Sequence, residues 1–200
     1  MENDVISFFA QTASENVQEF AAGLTEDYFK DAVSLIEESE KNGGRVHITG
    51  IGKPGHIAGY GASLISSIGT PAYFLHGTEA VHGSCGQLRK GDVVICISNS
   101  GETSELKSTV LAVKNNGCKV IGISGGKNSW LAGQSDVFLL AHVNQEGGPM
   151  NRAPISSILV ESMVLQGLGV LLQDHKKLTP QQYVMRHPGG SLGQLRENEK

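Results

Sequence analysis

The stretch RVHITGIGKPGHIAGYGASLISSIGTPAYFLH (45–76) decides how the chain is read. RVHITG (45–50) is a short run rich in β-branched residues, GIGKPG (50–55) is a glycine turn, and 56–68 has helical period. PAYFLH (71–76) is a second apolar run. Strand, turn, helix and strand in that order form a right-handed βαβ unit with parallel strands. The pattern repeats downstream: DVVICIS (92–98), KVIGIS (119–124) and DVFLLAHV (136–143) read as strands, with helical segments at 104–116 and 154–173. An α/β fold is expected, with a mostly parallel five-stranded sheet doubly wound by helices. Such sheets bind ligands at the carboxyl ends of their strands. The loops after residues 50, 76, 98 and 143 are therefore where chemistry is sought.

Upstream, residues 1–42 read as two helices. Val5, Phe9, Ala13 and Val17 recur at four-residue spacing, with Phe20 and Leu24 continuing the apolar side. Gly23 can end the first helix and Thr25, followed by Glu26 and Asp27, can cap the second. Tyr28, Ala32, Leu35 and Ile36 form its apolar stripe, and Asn42-Gly43-Gly44 closes it. Residues 1–44 are thus expected to pack as a helical segment on a domain formed by 45–200, one domain overall.

The 200 residues carry 16 Lys+Arg against 20 Asp+Glu, a net charge of −4 with no basic cluster. That balance argues against a nucleic-acid or anionic-membrane surface. The most apolar long segment, 155–172, is interrupted by Ser156, Ser157, Glu161, Ser162 and Gln166, and reads as a helix buried in protein rather than in lipid. MENDVISFF has no basic region ahead of an apolar one, so no secretory leader is expected. Cys85, Cys96 and Cys118 form no CxxC, which fits a reducing, cytoplasmic setting. Cys96, in an apolar strand, is expected in the core.

Gly50-Ile51-Gly52-Lys53-Pro54-Gly55 matches the G-x-G-x-x-G string between a strand and a helix. A dinucleotide site also needs an acid closing the second strand, about 20 residues on. That strand ends Leu75-His76, and Glu79 lies beyond it. The loop is then either a tight turn with a solvated Lys53, or a turn that sets Lys53 beside a helix N-terminus facing an anion.

Ser98-Asn99-Ser100-Gly101-Glu102-Thr103-Ser104-Glu105 follows VVICI and opens an amphipathic helix. Hydroxyls, a glycine and free helical amides together suit a phosphate. The same residues could equally form an N-cap, with Ser100 or Thr103 as the cap and Glu102 or Glu105 as the first-turn acid. The triple His76, Glu79, His82 lacks the H-E-x-x-H spacing of a metal helix.

SNSGETSE with GIGKPGH upstream resembles the SIS (sugar isomerase) domain, a phosphosugar-binding α/β fold. HGTEAVHG (76–83), APISS (153–157) and RHPGGSLG (186–193) further resemble the D-arabinose-5-phosphate isomerases. The resemblance covers about 45–195. It implies that Ser98, Asn99, Ser100 and Thr103 hold a phosphate, with Gly52 in the substrate loop. It also implies that Lys53, His82, Glu105, Glu146 and His187 surround the sugar as catalytic candidates. The reaction implied is aldose–ketose interconversion, with neither metal nor organic cofactor. That chemistry needs a base for the proton beside the carbonyl, an acid at the neighbouring oxygen and a stabiliser for the enediolate.

The resemblance also implies a dimer or tetramer with sites at subunit junctions, so that His82 or His187 serves a neighbour. Those isomerases often carry paired nucleotide-sensing CBS domains; with the chain ending at Lys200, none is expected here. Pro54, Ser84, Gly148 and Ile155 stand where the isomerase strings commonly have serine, an acid, cysteine and threonine. The substrate is therefore more open than the reaction class. A hexulose-6-phosphate isomerase, a phosphosugar sensor without turnover and a structural partner subunit are the alternatives.

Overall fold

The computed structural model describes residues 4–199. Two helices, α1 (Val5–Ala22) and α2 (Glu26–Lys41), precede five strands: β1 (Val46–Gly50), β2 (Ala72–Phe74), β3 (Val93–Ile97), β4 (Lys119–Ser124) and β5 (Val137–Leu140). Between and after them lie α3 (Lys53–Ser67), α4 (Ser104–Asn115), α5 (Trp130–Gln134), α6 (Ser156–His175) and α7 (Pro180–Arg186). Every strand pairing is parallel, in the order β2-β1-β3-β4-β5. The winding reverses between β1 and β3, which makes their carboxyl ends the topological switch point.

Alternation along the strands sends side chains to two cores. Ile48, Ile95, Ile97, Ile121 and Ile123 pack with α2, α3 and α6, whereas Val94, Cys96 and Val120 meet α4 and Leu131 of α5. Helix α6 buries Val160, Val164, Leu165, Leu168 and Leu172 and contacts α1, α2 and α3. Its 18-residue window reaches a mean hydropathy of 1.4, enough to cross a membrane by composition, and half of that window is buried inside the protein. It is a core helix.

The expected caps of α1 and α2 form: Gly23 ends α1, and Thr25 Oγ1 accepts from Tyr28 N at 3.3 Å. The apolar stripe of α1 holds in its second half, where Ala13 is buried and Phe20 and Leu24 pack on the core. At its start Val5, Ile6, Phe8 and Phe9 are exposed, and Thr12 and Asn16 are buried beside Ala13. Thr179 and Gln182 close a capping box at α7, a short helix absent from the periodicity reading.

Candidate active site

Gly50 of β1 pairs in register with Ile97 of β3, so the glycine turn and the serine loop leave the sheet side by side. In the glycine turn, a Cβ on Gly50 would meet Pro54 C at 2.8 Å, and one on Gly55 would meet Gly50 O at 2.8 Å. Gly52, with φ +66°, caps α3 without a side chain. These glycines serve the close strand–helix turn itself. Lys53 is the first residue of α3 and is exposed, beside a helix N-terminus whose amides no side chain caps.

In the serine loop the expected capping bond from Thr103 is not made. Thr103 occupies the N-cap position of α4, yet its hydroxyl does not cap the helix. It lies 3.1 Å from Ser98 Oγ, which also accepts from Gly101 N at 3.1 Å. Ser100 Oγ accepts from Glu102 N at 3.1 Å and is exposed. The Ser98 and Thr103 hydroxyls thus meet ahead of an α4 N-terminus that neither caps, with Ser100 exposed in the same loop, an arrangement suited to an anion. Glu102 serves structure: its carboxylate bonds Lys107 Nζ at 2.6 Å and Trp130 N at 2.7 Å, and these donors hold its pKa low.

Asn99 links this loop to the first carboxylate of the site. Its Nδ2 donates to Glu146 Oε1 at 3.2 Å, while Glu146 Oε2 accepts from Ile155 N at 2.7 Å and Ser157 N at 3.0 Å. Glu146 is buried, and its own N–H donates to Asn151 Oδ1 at 2.6 Å. Oε2 is therefore occupied by the α6 N-terminus. Oε1, with a single partner, keeps a lone pair for a proton.

Asn16 of α1 supports the same loop, a role the sequence reading missed. Its amide nitrogen donates to Gln145 O and its Oδ1 accepts from Asn144 N, both at 2.9 Å. No sequence pattern marked it, because its partners lie nearly 130 positions away.

Glu105 and His82 lie on the α4 flank. Glu105 is exposed in the first turn, and its own amide and the Ser104 hydroxyl lower its pKa. His82 ends a 3-10 turn at 79–82, is exposed, and belongs to a loop tied to α4 by the Thr109 hydroxyl donating to Gly77 O. His76 Nδ1 accepts from Glu79 N at 3.3 Å, which makes it the brace of that turn.

His187 is elsewhere. It closes α7, with Nδ1 2.8 Å from Tyr183 O and its ring stacked on Tyr183 at 4.0 Å. The preceding Arg186 donates to Ile68 O, at the far end of α3 from Lys53. Fifteen helical residues separate those ends, about 20 Å at the α-helical rise. One chain thus brings together the serine loop, Glu146 and the glycine turn, with Glu105 and His82 alongside, and leaves His187 remote.

Comparison with known proteins agrees with this architecture. The SIS domain family model matches residues 40–171. The arabinose 5-phosphate isomerase KdsD of Francisella tularensis is 38% identical over 168 residues, 84% of this chain and 51% of that protein. KdsD of Pseudomonas aeruginosa is 36% identical over 177 residues, 88% of this chain and 53% of that protein. The chain therefore spans about half the length of these relatives. An Escherichia coli CFT073 structure in complex with arabinose 5-phosphate superposes with a TM-score of 0.85 at 34% identity, covering 92% of this chain and 96% of that one. The parallel, doubly wound sheet defines an α/β protein, and the chain belongs to the SIS domain family. Within that family it is a homologue of the arabinose 5-phosphate isomerases.

Proposed function

We propose that the protein binds a phosphorylated sugar and interconverts its aldose and ketose forms without a metal, with arabinose 5-phosphate and ribulose 5-phosphate as the first candidate pair. The observation that carries the reading is the Asn99–Glu146 hydrogen bond, which joins an uncapped, hydroxyl-lined loop to a buried carboxylate with one open lone pair. Ser98, Ser100, Thr103 and the α4 amides take the phosphate. Glu146 Oε1 removes the C2 proton, that C–H electron pair forms the C1–C2 double bond, and the C1=O π pair moves onto O1, which carries the enediolate charge and then takes up a proton. A proton then returns to C1 as the O2 proton leaves, giving the ketose. Lys53 supplies positive charge to the enediolate oxygens or the phosphate, and Glu105 and His82 attend the hydroxyls from the α4 flank.

His187 joins from a second copy of the chain in this reading, since its neighbour Arg186 is tied to the end of α3 opposite Lys53, and α3 is about 20 Å long. Mixing inactive Glu146→Gln and His187→Ala proteins then restores part of the activity. A mixture as inactive as its components would remove the shared site. Three free cysteines accord with a reducing compartment such as the cytoplasm.

The test of function is proton NMR in D₂O with pentose and hexose phosphates. Conversion with deuterium entering beside the carbonyl supports the isomerase and identifies the substrate, hexulose 6-phosphates included. Broadened ligand lines without conversion would replace it with a phosphosugar sensor.

A further inference from the structure

Beneath Glu146, helix α6 carries a second carboxyl group to which the reaction above assigns no role. Glu161 is fully buried, and neither of its oxygens has a hydrogen-bond partner. Ser157, one turn earlier, is also buried with an unpartnered Oγ, and its N–H is one of the two that hold Glu146 Oε2. Residues four apart face each other on a helix, and helical side chains lean toward the N-terminus. The Glu161 carboxyl therefore lies over the Ser157 turn, on the side of Glu146.

The elements packed on α6 offer it no cation. Their buried residues are Thr12, Ala13 and Asn16 on α1; Phe29, Ala32, Val33, Ile36 and Ser39 on α2; and Ala58, Gly61, Ala62 and Ile65 on α3. Strand β4, Lys119–Ser124, buries no ionisable side chain, and Lys119 at its start is exposed. The charge that Glu161 feels is that of Glu146.

We propose that Glu161 is a positioning residue for Glu146: a neutral carboxylic acid seated with Ser157 under the α6 N-terminus, leaving Glu146 as the single negative charge there. The proposal rests on the reading of Glu146 as the base. Ionising Glu161 sets two carboxylates against each other across one helical turn and loosens Glu146 from the amides of Ile155 and Ser157. Burial, and secondarily the Glu146 charge, push the Glu161 pKa up to about 8, so neutrality at pH 7 follows.

The test follows the Ile155 and Ser157 amide resonances of the protein without substrate, from about pH 6 to about pH 10. They are expected to shift together with a midpoint near 8 in the wild type and to stay fixed in Glu161→Gln, whose side chain is neutral throughout. Amides that stay fixed in the wild type, or shift equally in the variant, would overturn the proposal. With turnover in hand, wild-type kcat falls about tenfold per pH unit above that midpoint, while KM changes less and Glu161→Gln keeps its rate. Equal alkaline decline in both proteins would contradict the assignment. A failure to find any substrate would strike the isomerase reading alone, because the amide titration needs none.

Discussion

Two buried carboxylates sit at opposite ends of the same sheet, and their surroundings differ in kind. Asp92, at the amino end of β3, accepts from Arg45 N, Arg45 Nη2 and Arg89 N at 2.9 Å each, and from His47 Nε2 at 3.0 Å. A guanidinium neutralises it, and burial, which alone raises its pKa, is outweighed by these donors, so the pKa is low. Glu146, beyond the carboxyl ends, has three N–H donors and no ion-pair partner among the described residues, with a second buried carboxyl below it. The first arrangement saturates a charge and pins the ends of β1 and β3 together. The second leaves a charge unsaturated, as a proton-transfer site requires. The fold places this ion pair at the end of the sheet away from the proposed site.

The largest effects should separate these two roles. Glu146→Gln is expected to lower kcat by ~10²–10⁴, the range for a lost acid or base, with little change in melting temperature. Asp92→Asn should do the reverse, losing about 3–5 kcal/mol of stability as a buried pair is broken while the surviving folded protein stays active. Denaturant unfolding beside turnover assays checks both. Comparable loss of stability in the two variants would erase the contrast.

The two ends should also respond oppositely to pH. The Asp92 pKa is depressed, so its stabilisation is present above an unfolded value near 3.8 and is lost as pH falls through the folded value. The Glu161 pKa is raised from 4.5 to about 8, so folding favours its protonated form, and stability declines as pH climbs between those values. The wild type should lose about 4 kcal/mol relative to Glu161→Gln over that interval. Parallel melting curves for the two proteins would show that Glu161 ionises normally.

Smaller effects refine the active end. Asn16→Ala removes both bonds to the 144–145 backbone and should cost about 1–3 kcal/mol, lowering kcat through a misplaced Glu146. Kinetics of the folded variant report this, and an unchanged kcat would confine Asn16 to a structural role. Ser100→Ala should raise KM by about tenfold with a lesser change in kcat, because phosphate contacts persist into the transition state. A selective fall in kcat would instead place Ser100 near the reacting carbons.

The strands, their order of appearance and the serine loop were legible because alternating apolar runs and glycine turns are local signals. Whether the Thr103 hydroxyl capped α4 was not, since a cap and a binding loop take the same residues; its contact with Ser98 across five positions shows that it does not cap. Glu161 was visible only as a polar interruption in an apolar helix, since its meaning depends on Glu146, fifteen residues away in a loop. The α1 stripe was legible at Ala13, Phe20 and Leu24 and misled only at Val5 and Phe9, which share its spacing but stay exposed among the described residues. His187 carried a motif but no distance, and about 20 Å along α3 is a property of the fold alone.

The most direct test of the central claim is deuterium exchange at C2 of arabinose 5-phosphate, followed by NMR in D₂O for the wild type and Glu146→Gln. The wild type should exchange and convert the sugar, while Glu146→Gln binds it, seen as line broadening, without exchange. Exchange by Glu146→Gln at the wild-type rate would contradict the assignment of Glu146 as the base.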